Sequence, residues 1–137
     1  MRLMTKPVCR VAIPQALEQA FPFVAALLNT LGLSLTNPDT AKVTTWTDDG
    51  DQKEIEATKV VGEAVSGAIK NIQFWKTGSE DVFLTWHDHI DKCTFVIYLD
   101  GLDSGFAVRL ITKFVELALT KLRTRYGEGV ALTVEFE

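Results

Sequence analysis

The stretch 93-CTFVIYLDGLDSGFAVRLITKFVELALTKLRTRYGEGVALTVEFE-137 decides how the chain packs. Residues 93–99 read as a strand. Cys93, Phe95, Ile97 and Leu99 fall on one face, with Thr94, Val96 and Tyr98 on the other. Both faces are mainly apolar, so the expectation is a central strand covered on two sides. Asp103 and Ser104 then stand immediately before a long helical pattern, where side-chain oxygens accept from free helix N–H groups. That placement reads as a cap rather than as a serine nucleophile, which would need an adjacent base and an oxyanion hole.

The helix expected over 106–126 has a narrow polar face. Arg109, Thr112, Lys113, Glu116, Thr120, Arg123 and Thr124 fit within about 120° of arc at 3.6 residues per turn. Leu110, Ile111, Phe114, Val115, Leu117, Ala118, Leu119 and Leu122 take roughly the remaining 200°, about twice what a helix lying on a sheet needs. A second helix, or a second subunit, is required to cover the flank. The closing strand alternates, with Val130, Leu132, Val134 and Phe136 expected inward. Glu135 and Glu137 point outward, where charges would discourage edge-to-edge pairing.

Earlier residues supply the other layer. Residues 6–13 read as a strand stopped by Pro14, and Pro14 suits the first turn of a helix. That helix is expected over 14–31, with Gly32 as its left-handed stop and Pro22 as a kink or a break into two. Its second half is apolar on most sides, so it belongs to the core or to a homodimer contact. Residues 41–47 are rich in β-branched types and read as a strand. Residues 52–71 carry apolar positions at helical spacing and read as a helix, with a hairpin between 41–47 and 53–60 as the competing form. Residues 72–77 and 82–89 make a hairpin around Gly78-Ser79-Glu80-Asp81. The whole is expected to be one α+β domain over 1–137, an antiparallel or mixed sheet of about five strands packed with two or three helices.

Composition narrows function by exclusion. The 137 residues are 47% hydrophobic and 23% charged, which favours a folded domain over disorder. The apolar run at 20–28 is nine residues long and contains Pro22, too short to span a bilayer, so no membrane association is expected. Two cysteines, Cys9 and Cys93, do not make a secreted disulfide framework. A cytoplasmic protein is the expectation. The net charge of −4 is unevenly spread: residues 37–103 hold 13 acids against 6 bases, whereas 104–126 hold five bases and one acid. The acidic middle disfavours nucleic acid and suits a basic protein partner.

The sites follow from that asymmetry. Asp48, Asp49, Asp51, Glu54 and Glu56 gather beside Trp46, and Glu80 and Asp81 beside Trp75. Aromatic residues among acids are the anchors such an interface would use. Asp48–Asp51 is no calcium loop, because the twelfth position from Asp48 is Lys59 rather than glutamate. His87 and His89, two apart on a strand, could share a metal ion with Asp91 or Cys93, but His-x-His alone is a weak signal. No catalytic residue and no cofactor is assigned. The leading expectation is a non-catalytic protein-binding protein, such as an acidic inhibitor or immunity-type protein that neutralises a basic toxin or nuclease. The rivals are a small enzyme or ligand binder near His87, His89, Asp91 and Asp100, and a self-associating structural module.

Overall fold

The computed structural model describes residues 6–136. Seven strands form one sheet, entirely antiparallel, in the order β3-β2-β4-β5-β6-β1-β7. They are β1 (Pro7–Ile13), β2 (Val43–Trp46), β3 (Gln52–Ile55), β4 (Asn71–Trp75), β5 (Asp81–Asp88), β6 (Cys93–Tyr98) and β7 (Ala131–Phe136). The helices are α1 (Leu17–Thr30), α2 (Val60–Ser66) and α3 (Ser104–Leu117). The α3 axis runs on through a π-helical stretch, Ala118–Leu122, and a last turn, Arg123–Tyr126.

The α+β class is as expected, but the sheet has seven strands rather than about five. One of the additional strands comes from the segment read as a helix over 52–71. Its first part pairs with β2 as a hairpin, Val43 opposite Ile55 and Trp46 opposite Gln52. Only Val60–Ser66 is α-helical, preceded by a 3-10 turn over Ala57–Lys59. Two local features decide this. Gly50 takes φ +86° in the turn, a conformation that closes a hairpin and that residues with a Cβ avoid. Ile55 then seats in the core opposite Val43, burial that a helix starting at 52 would forfeit.

The termini of the helices obey local chemistry. Asp103 caps α3, its carboxylate accepting from the Phe106 N–H at 3.1 Å. Gly32 ends α1 at φ +96°; its N–H bonds Asn29 O at 3.0 Å and the Leu33 N–H bonds Leu28 O at 2.9 Å, a full Schellman pair. The start of α1 is set from far away. Pro14 lies outside the helix, and the Leu17 N–H donates to Asp88 Oδ1 at 3.3 Å, from the end of β5. Pro22 is accommodated within one helix rather than dividing it.

All three helices lie on one face of the sheet. Their buried side chains share a core with Cys9, Val11, Ile13, Phe95, Ile97 and Leu84, all of one strand parity. Helix α1 sits in the middle. It touches α2 on one side, and on the other Phe23 meets Tyr126 edge-on at 5.5 Å, with the Arg125 guanidinium 4.7 Å above the Phe23 ring. The apolar side of α1 is therefore spent on the core, through Leu17, Phe21, Val24 and Leu28. It is not available for the homodimer contact that its composition suggested.

The opposite parity carries no helix among the described residues. The two-sided burial expected for 93–99 is met in part: the helices cover Cys93, Phe95, Ile97 and Leu99, while on the other face Val96 is buried and Thr94 and Tyr98 are half-buried. Thr44, Gln73, Phe83, Tyr98, Val8 and Glu135 form one transverse row of the open face. No helix of the described residues is long and apolar enough to cross a membrane.

Candidate binding face

Phe83 and Tyr98 stand directly opposite each other on β5 and β6, their ring centroids 6.1 Å apart and tilted by 47°. Both are half-buried, and Val8, which pairs with Tyr98 on the same face, is fully buried. They form the floor of a cleft of about 550 Å³ whose walls include Lys6, Asp81, Asp100 and Gly101. Gly101 is required by a close backbone approach. A Cβ there would come within 2.7 Å of both the carbonyl and the carboxylate oxygen of Asp81, so only glycine lets the loop after β6 close on the start of β5.

Asp81 is held by a chain of side chains across three strands. The Gln73 amide on β4 donates to Asp81 Oδ2 at 2.9 Å, and the Trp46 indole N–H on β2 donates to Gln73 Oε1 at 2.6 Å. Asn71 fixes the other end of that chain. Its side chain accepts from the Trp46 N–H at 2.8 Å and donates to the Trp46 carbonyl at 2.9 Å, replacing strand pairing where β2 and β4 diverge. Trp46 and Asp81 were both singled out from sequence, and the fold joins them through Gln73.

The remaining acids do not form one face. Asp48 pairs with Lys70 at 3.1 Å, Glu56 with Lys42 at 3.4 Å, and Glu80 with Lys76 at 3.6 Å. Glu80 also accepts from the Asp103 N–H at 3.0 Å, which makes it part of the turn before α3. Asp49 and Asp51 are exposed at the β2–β3 turn, and Glu54 is exposed on β3, on the open face opposite Thr44. Trp75 points away from the helices, as its parity required, but is only 9% exposed. It is a packing residue, not an accessible anchor.

Phe83, Tyr98 and Asp100 were absent from the interface read from sequence. Their signal was present in the alternation of β5 and β6.

The cluster of His87, His89, Asp91 and Asp100 does not assemble. Strands β5 and β6 are antiparallel, so the turn containing His89 and Asp91 sits at one end of the pair and Asp100 at the other, beside Asp81. His87 and Cys93 have opposite strand parity, since Cys93 pairs with Asp88. Cys93 is buried on the helix side, where burial, and secondarily the Asp88 carboxylate, pushes its thiol up to about 12. Burial does the same to Cys9, also to about 12. Thiols so protonated are poor nucleophiles and poor metal ligands. Among the described residues no group of three His, Cys, Asp or Glu side chains converges to hold a metal ion.

No family model, no curated protein and no solved structure matches the chain.

Proposed function

We propose that the protein is a non-catalytic binding protein that takes a basic protein partner on the open face of its sheet. The reading includes an acidic inhibitor or immunity-type protein directed at a cationic toxin or nuclease. The observation that carries it is the Phe83–Tyr98 floor set between Asp81 and Asp100. A guanidinium or ammonium entering this cleft displaces the Lys6 ammonium that also lines it, and then lies over aromatic rings and within reach of two carboxylates. Cation–π attraction contributes about 0.5–2 kcal/mol, depending on desolvation. A hydrogen bond to a charged group adds about 1.5–3 kcal/mol. The Trp46–Gln73–Asp81 chain orients one of those carboxylates before binding, which reduces the ordering cost. The net −7 over residues 37–103 speeds the encounter with a basic surface.

The test is affinity capture from the source organism with the full chain as bait. A basic protein should be retained at low salt and released as salt rises. The double variant Asp81→Asn, Asp100→Asn should weaken retention at least tenfold, corresponding to about 1.4 kcal/mol. Recovery of no basic partner, or retention indifferent to both salt and the double variant, overturns the reading.

A further inference from the structure

Among the described residues, seven large hydrophobic side chains stand exposed, and five of them share one corner of the molecule. Val108, Val115 and Leu119 lie along one stripe of the α3 axis and remain 63%, 40% and 62% exposed. Val134 and Phe136, on the helix-side face of β7, remain 43% and 73% exposed. Between helix and strand runs an apolar groove of about 310 Å³, lined by Val115, Ala118, Leu119, Arg123, Val130 and Leu132. Among the described residues, strand β7 is the last of the sheet and pairs only with β1, so its outer row of N–H and C=O groups faces no described strand.

We propose that this corner is a homodimer interface, in which β7 pairs antiparallel with β7 of a second copy across a two-fold axis and the two α3 stripes close over the joint. The inference concerns a different surface from the acidic cleft and does not depend on it. The occupant follows from what the corner lacks. The sheet edge needs a strand, and the stripe beside it needs an apolar helix flank. The stripe from Val108 to Leu119 is about 17 Å long at the helical rise. The six residues of β7 span about 20 Å. A lone peptide strand would satisfy the edge but turn only alternate side chains toward α3. A second copy brings a strand and a flush helix together, and a two-fold axis places each patch on its own equivalent.

Charge and area agree with this occupant. Glu135 is the sole charged residue of β7. It faces the open side, where it forms an ion pair with Arg10 of β1. With Val134 on the axis, Glu135 lies opposite Thr133 of the other copy; with Thr133 on the axis, it lies opposite Ala131. Neither register sets like charges against each other. The five exposed side chains amount to roughly 500 Å² of apolar surface, near the upper end of what a monomer leaves bare. Stable interfaces bury about 800 Å² per partner, so these side chains alone supply over half of that area before the strand edge is counted.

Sedimentation equilibrium of the full chain between about 1 and about 100 µM tests the proposal. The expected mass at the upper end is twice 15.2 kDa. The double variant Leu119→Glu, Phe136→Glu should raise the dissociation constant roughly a hundredfold or more, while its circular dichroism stays that of the wild type. The control Val65→Glu, Ile90→Glu alters the two exposed hydrophobics outside the corner and should leave the mass unchanged. Hydrogen exchange at Ala131–Phe136 should slow as the wild-type concentration rises, a readout that needs no variant. A mass of 15.2 kDa throughout the range overturns the proposal, as does a dimer that survives the double variant without slowed exchange in β7. Asp81 and Asp100 lie outside the corner, so loss of the dimer with retention of a basic partner separates the two surfaces.

Discussion

At one edge of the sheet, β3 offers four residues, Gln52, Lys53, Glu54 and Ile55; at the other, β7 offers six. The β3 edge is short and charged. Lys53 reaches Glu63 of α2 at 4.0 Å, Glu54 stands exposed, and only Ile55 is buried. A strand arriving there would have to desolvate charges for few backbone bonds. The β7 edge is longer, its one charged residue leans toward Arg10, and its helix-side residues are apolar and exposed. Of the outward acids expected to guard this strand, Glu135 is drawn to Arg10 and does not guard it, and Glu137 lies outside the described residues. Being at an edge does not settle whether a strand is protected; the side chains on the face it shares with the helices do.

The largest test of this contrast lies along the α3 axis and its π-helical continuation, which have a buried stripe and a bare one. Phe114→Ala should lower unfolding stability by about 3–5 kcal/mol, because Phe114 is closed into the core. Leu119→Ala, in dilute solution, should stay within about 0.5 kcal/mol of wild type. Urea midpoints of the two would be compared, and equal losses would mean that the Leu119 side is covered in the monomer.

A second test sets the centre of the sheet against its edges. Cys9 and Cys93 sit on β1 and β6, and burial holds both folded thiols near 12, against an ordinary value of 9.0. Below about pH 9 the thiols are protonated in both states and cost nothing. As pH rises from about 9 toward 12, the unfolded thiols ionise while the folded ones do not, so stability falls. By about pH 10 the loss is roughly 1.4 kcal/mol per thiol. The drop between about pH 8 and pH 10 should shrink in a Cys9→Ala, Cys93→Ala variant; an unchanged drop assigns it to other groups.

Two smaller changes probe the guarded edge alone. Asn71→Ala removes both bonds that clamp the Trp46 backbone and should cost about 1–3 kcal/mol. Amide exchange should quicken across β2 and β3 while β7 is unaffected; spread of the effect to β7 would deny that the edges are independent. Gly50→Ala places a Cβ at φ +86° and should cost about 1–2 kcal/mol. Its signature is faster exchange at the β2–β3 turn, and a neutral result would show that the turn relaxes to another form.

Much of the architecture was legible because its causes are local. The Asp103 cap, the Gly32 stop and the hairpin of β4 with β5 each depend on residues within one turn of the chain or in adjacent strands. The misread segment failed for a reason of scale. Residues 52–71 satisfy helical spacing over most of their length, yet the first four gain more by pairing with β2. The candidate site was half legible. Trp46 and Asp81 were identifiable as an aromatic and an acid in polar company. Phe83 and Tyr98 were passed over because their exposure depends on which face the helices choose.

The sequence by itself determined the α+β class, most of the strands and helices, the two parities of each strand and the double-width apolar arc of α3. Those properties follow from side-chain periodicity and from turn and cap chemistry that act over a few residues. Only the tertiary structure decided that all helices share one face, that β3 and β7 are the edges, and that Trp46, Gln73 and Asp81 meet from three strands. Strand order and layer choice are set by burial summed over the whole core, a quantity that no single stretch of the chain contains. The helix flank that 106–126 left unmatched is bare in the monomer because α1, flanked by α2 and α3, had only one side of α3 to cover.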